Sequence, residues 1–167
     1  MHELGLAMSI VNSVENSLSG RKVKKVKEIV KKSPQLINQK NQNGLLPIEC
    51  TKNLDIIRFL LQNDAIIEQP FLEQYLDNFE MFQLIVPNTK DISSELLEKL
   101  IKENYNIEYI KLLLKKGVKI TQSILESACN FDNLELIKIL LENNVLSTFK
   151  ALENACKINN TDIIILL

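Results

Sequence analysis

The residues able to do chemistry are few, and their spacing is poor for it. The chain has one histidine, His2. An interior Ser–His–Asp set is therefore out of reach. The three cysteines, Cys50, Cys129 and Cys156, form no CxxC pair, which argues against a zinc ribbon and against a disulfide framework. No arrangement of basic residues singles one thiol out for activation, so all three read as small apolar core residues in a reducing, intracellular protein. The four glycines stand at 5, 20, 44 and 117 and make no phosphate-cradling loop. What does recur is a carboxylate. Glu49, Glu73, Glu98, Glu126 and Glu153 each follow an apolar residue in a similar local sequence. Such a row could present an acidic stripe to a basic partner. The plainer reading is that each Glu caps a helix start, where negative charge is favoured by ~0.3–1 kcal/mol.

Composition limits the classes further. The 167 residues carry 20 basic and 21 acidic side chains, so no strongly charged partner is implied for the whole molecule. Leu and Ile number 27 and 21, and Asn is abundant at 18. That mixture predicts short aliphatic helices joined by polar turns. No apolar run approaches the ~18 residues of a membrane span. Leu4–Val11 lacks the flanks of a secretory signal. The basic cluster Arg21, Lys22, Lys24, Lys25, Lys27, Lys31 and Lys32 is interrupted by Glu28 and contains no aromatic for base stacking. Val23, Val26, Ile29 and Val30 run through it as a helical stripe, so it reads as the solvent face of a helix. No nucleic acid and no membrane are expected as partners.

A repeat organises the chain. Ile107-Glu108-Tyr109-Ile110-Lys111-Leu112-Leu113-Leu114 aligns with Leu134-Glu135-Leu136-Ile137-Lys138-Ile139-Leu140-Leu141 at an offset of 27, and Thr161 begins a third copy 27 later. Phe79 starts a copy 28 residues earlier, and Leu54 another 25 before that. A second block travels with the first: Leu125-Glu126-Ser127-Ala128-Cys129 and Leu152-Glu153-Asn154-Ala155-Cys156, with divergent forms at Leu97, Leu72 and Ile48. Each unit thus holds an inner and an outer helix, separated by turns at Asn53, Asn78, Asn104 to Asn106, Asn130 to Asn133, and Asn159-Asn160. One such pair cannot bury its apolar faces alone, so neighbours must stack. Asp55, Glu80, Glu108, Glu135 and Asp162 open the outer helices. Arg58, Gln83, Lys111 and Lys138 follow three residues on, a spacing suited to exposed ion pairs.

The unit resembles the ankyrin repeat. Val26 to Asn38 is similar to an outer helix and its exit, and Asn41-Gln42-Asn43-Gly44-Leu45-Leu46-Pro47-Ile48-Glu49 to a finger and the start of the T-P-L-H motif, with Leu46 for Thr and Glu49 for His. The family unit has about 33 residues, against spacings of 24 to 28 here, so most fingers are pruned. The expected fold is an all-α, ankyrin-like solenoid of about five short units over residues 23–167. Residues 1–22 form an N-terminal helical cap or remnant segment. The resemblance implies a protein–protein recognition module without cofactor or catalysis. Its expected binding residues are the exposed Gln74, Lys99, Ser127 and Asn154 beside the carboxylates Glu98, Glu126 and Glu153. Ile163-Ile164-Ile165-Leu166-Leu167 is wholly apolar. It implies a fragment of a longer repeat protein, end-to-end pairing with another copy, or a last turn folded on its own unit. Weak self-association through this end is expected.

The first dozen residues, Met1-His2-Glu3-Leu4-Gly5-Leu6-Ala7-Met8-Ser9-Ile10-Val11, resemble the opening of the nickel-insertion accessory proteins of hydrogenase and urease maturation. That resemblance implies a nickel site built from His2, Met1 and Glu3, and imidazole and amine nitrogens do suit Ni²⁺. The family's CxxC pairs are absent. The competing reading of this segment is an amphipathic helix with Leu6, Ile10, Val11 and Val14 turned inward.

Overall fold

The structure, a computed structural model, describes residues 20–167. Among them the regular structure is helical, ten α-helices and three short 3-10 helices, with a single parallel bridge between Ile67 and Thr89. The all-α expectation therefore holds for the described residues. The described residues divide into two compact units, 20–90 and 91–167.

The first unit contains α1 (Gly20–Lys32), α2 (Leu54–Leu61), α3 (Gln69–Glu73) and α4 (Phe79–Ile85), with 3-10 turns at Pro34–Asn38, Pro47–Cys50 and Val86–Asn88. Helix α1 is amphipathic in the expected register. Val26 and Val30 are buried, while Lys24, Lys25, Lys31 and Lys32 are exposed. Lys31 and Lys32 fall in its last turn, where cations complement the helix dipole. The Lys27 ammonium sits 5.5 Å from the centroid of the Phe59 ring on α2, a cation–π contact that also covers the aromatic face. Pro34 cannot continue the α-helical ladder and begins a 3-10 turn instead. The loop at 41–45 is closed by Asn41. Its Oδ1 accepts the N–H groups of Asn43 and Leu45, both at 2.9 Å. Gly44, at φ +77°, supplies the left-handed residue that the turn requires. Successive loops are then bonded to one another. Asn38 Oδ1 accepts the Ile66 N–H at 2.8 Å, and Lys40 pairs with Glu68 at 2.7 Å.

The second unit is more regular: α5 (Ser94–Lys102), α6 (Ile107–Lys116), α7 (Gln122–Ala128), α8 (Leu134–Glu142), α9 (Phe149–Ile158) and α10 (Thr161–Leu166). The inner helices α5, α7 and α9 pack in sequence, and α6, α8 and α10 each lie against their own inner helix. Leu97, Leu100, Leu113, Leu125, Ile137 and Leu140 are fully buried between them.

Helices α2, α4, α6, α8 and α10 begin at the residues where the five sequence copies begin. Each is capped by an asparagine. The side chain of Asn53 accepts the N–H groups of Asp55 and Ile56, Asn78 that of Met81, Asn106 that of Glu108, Asn133 that of Leu136, and Asn160 that of Ile163. Asn is among the best residues for this task, each cap being worth ~1 kcal/mol. The five turn asparagines are thus the start signals of the outer helices. The left-handed positions Asn104, Asn144, Asn159 and Gly117 close helices in the second unit.

The cysteine expectation needs correcting. Cys129 is buried, but Cys50 is half-buried and Cys156 exposed. Cys156 and Cys129 are equivalent in sequence but differ in burial.

Candidate functional site

The carboxylate row is continuous within the second unit. Glu98 lies on α5, Glu126 on α7 and Glu153 on α9. Each is the fifth residue of its helix, past the first turn. Capping of helix starts, one of the expected roles, is therefore seen for Glu49 alone among the five. Its Oε2 accepts the Leu46 N–H at 2.6 Å at the head of a 3-10 turn. In the first unit Glu73 instead accepts from the Gln69 side chain at 2.8 Å.

The second-unit carboxylates connect adjacent helix pairs. Ser127 on α7 donates to Glu98 on α5 at 3.4 Å, and Lys102 pairs with the same carboxylate at 2.7 Å. The Thr148 hydroxyl donates to Glu126 Oε1 at 2.7 Å, while its oxygen accepts the Ala151 N–H and so caps α9. The Asn154 amide donates to the Glu126 carbonyl at 2.8 Å. Glu153 makes a different set of contacts. It lies between Lys150 and Lys157 on its own helix, at 3.0 and 2.8 Å, and those two ammonium groups hold its carboxyl down at about 2. The row is a set of hydrogen-bonded and lysine-paired carboxylates, which makes it a less negative surface than five bare acids would be.

Of the residues expected to flank this row and face solvent, Gln74 is exposed, and Lys99 and Ser127 are half-buried. Asn154 is not exposed. Only 6% of its surface is accessible, and its amide is spent on the Glu126 backbone. The position after each Glu faces the preceding inner helix in α9, so a polar side chain there must be satisfied internally. Sequence reasoning missed Thr148, although its place three residues ahead of a helical N–H is an N-cap signal.

The outer ladder is realised at Lys111, which bridges Glu108 at 2.9 Å and Glu135 of the next helix at 3.0 Å. Both partners raise its pKa, Glu108 more than Glu135. Burial, and secondarily Glu126, pushes the Cys129 thiol up to about 11, which removes it as a nucleophile at neutral pH. Among the described residues no three His, Cys, Asp or Glu side chains converge to hold a metal ion, and no helix is long and apolar enough to cross a membrane. The nickel reading at His2, Met1 and Glu3 lies outside the described residues. No family model matches the chain, and neither a curated protein nor a solved structure matches it significantly.

Proposed function

We propose that this chain is a protein–protein recognition module, an ankyrin-like helical repeat solenoid with no catalytic activity of its own. The observation that carries the reading is the cross-repeat bonding of the inner helices. In the second unit the Glu98 carboxylate reaches Ser127, the Glu126 carboxylate reaches Thr148 and the Glu126 backbone carbonyl accepts from Asn154, so two successive copies of one sequence position each link a helix pair to the next. A stack tied in this way is rigid and presents a periodic row of side chains, the kind of surface repeat proteins use to bind other chains. The surface favoured for recognition is the inner-helix side of the second unit at Lys99 and Ser127, with Gln74 a separate candidate on the first unit and Asn154 reassigned to holding the second unit's helices together. A partner captured from a lysate of the source should be lost when Gln74, Lys99 and Ser127 are replaced by Ala. Stability should change by no more than about 0.5 kcal/mol for the exposed Gln74. Capture by the triple variant at the level of the unaltered chain would move the binding surface elsewhere.

A further inference from the structure

Cations are unevenly spread along this chain. Residues 20–32, the span of α1, hold seven of the 20, against the single acid Glu28. The rest of the sequence holds 13 cations against 20 acids. A basic helix is therefore set in an acidic chain.

Several lysines of the second unit are neutralised where they stand. Lys102 pairs with Glu98, Lys111 with Glu108 and Glu135, and Lys150 and Lys157 with Glu153, each at 3.0 Å or less. On α1, by contrast, Lys24, Lys25, Lys31 and Lys32 are exposed and take part in no ion pair among the described residues. Like charges three and four residues apart, as at Lys24, Lys27 and Lys31, work against a helix. Anionic groups laid over this face would relieve that repulsion.

The arrangement of the charges selects the kind of anion. Positions seven apart complete about two turns, so Lys24 lies above Lys31 and Lys25 above Lys32, and the two lysine pairs stand about 10 Å apart along the axis. Glu28 falls between the pairs on the same exposed face. The opposite side of the helix is committed: Val26 and Val30 are buried, and α1 packs on α2 and on the 3-10 turn at Pro34–Asn38. A lipid surface or a nucleic-acid backbone presents an unbroken run of negative charge and would set it against Glu28. No apolar side of α1 is free to enter a bilayer either. A protein segment can place separate carboxylates against the two lysine pairs and a cation against Glu28.

We propose that the exposed face of α1 docks an acidic helical segment of another protein. Its carboxylates, two turns apart, lie opposite Lys24–Lys25 and Lys31–Lys32, and a cation between them meets Glu28. The acidic remainder of the chain repels such a segment elsewhere, so charge also directs it to α1. This face shares no residue with the inner-helix positions proposed above, and its test uses none of them.

A fluorescent helical peptide with Glu pairs seven residues apart and a Lys midway, titrated with the full chain, tests the proposal. Binding should weaken as salt rises. It should fall roughly fivefold for Lys24→Ala/Lys25→Ala and by a similar factor for Lys31→Ala/Lys32→Ala. Lys115→Ala/Lys138→Ala, exposed lysines of α6 and α8, should bind as the unaltered chain does, with circular dichroism confirming that every variant folds. Replacing the peptide's midway Lys by Glu should weaken binding to the unaltered chain and strengthen binding to Glu28→Lys. Three results would overturn the proposal: a peptide indifferent to the α1 lysines, an all-acidic peptide that binds the unaltered chain more tightly than the mixed one, or phosphatidylserine vesicles or duplex DNA bound more tightly than the peptide through the same lysines.

Discussion

Helices α7 and α9 carry nearly the same inner-helix motif, Leu125-Glu126-Ser127-Ala128-Cys129 and Leu152-Glu153-Asn154-Ala155-Cys156, in opposite surroundings. On α7 the leucine and cysteine are fully buried, and the carboxylate bonds across to Thr148. On α9 the leucine and cysteine are open, and the carboxylate turns back to two lysines of its own helix. The difference shows that the motif does not determine its own environment. What packs against it does.

The largest contrast should appear in thiol reactivity. A maleimide at neutral pH should modify Cys156 readily and Cys129 hardly at all. Raising a thiol from 9.0 to about 11 lowers its thiolate fraction about a hundredfold at neutral pH, and burial blocks access besides. Equal rates, followed by mass spectrometry of the digested protein, would erase the distinction between the two helices.

Packing should separate them next. Leu125→Ala should cost about 2–5 kcal/mol in a denaturant titration, the usual range for a fully buried leucine. Leu152→Ala should cost clearly less, because part of that side chain remains in water. If the two variants unfolded at the same denaturant concentration, the outward side of α9 would have to be covered in solution.

A smaller effect is expected where α9 is tied to α7. Asn154→Ala leaves the Glu126 carbonyl without this donor and should cost about 1–2 kcal/mol. Asn133→Ala, which removes the cap of α8, should cost about 1 kcal/mol. Asn154→Ala with unchanged stability would mean that the amide is exposed after all.

The smallest effect is that of pH on Glu153. Its folded pKa lies below its ordinary value of 4.5, at about 2. Its contribution is therefore present above that ordinary value and fades as the pH falls toward 2. The group is fully exposed and screened by salt, so the loss should be slight and should vanish in Lys150→Ala/Lys157→Ala. A steep acid transition that depends on these two lysines would show that the triplet matters more than its exposure implies.

The five outer helices were legible because local chemistry is enough to place them. An Asn cap, an acid in the first turn and an i, i+3, i+4 aliphatic stripe all lie within a dozen residues, and the structure starts α2, α4, α6, α8 and α10 where those signals fall. The charged face of α1 was legible for the same reason. The inner-helix row was only half legible. Its register could be read at offset 27, yet nothing local to Asn154 says that its amide turns inward to a carbonyl 28 residues away. Thr148 could have been read locally as the N-cap of α9, but its second bond, to a carboxylate 22 residues away, could not.

The sequence by itself determined that the chain is helical, where its outer helices start and which stripe of each is apolar, because capping, propensity and periodicity act over one or two turns. The tertiary structure alone decided which copy of a shared motif is covered, which carboxylate binds the next helix, and which of two equivalent cysteines meets water. Those outcomes depend on what packs across about 27 residues of intervening chain. No signal confined to a helix can encode the presence of its neighbour.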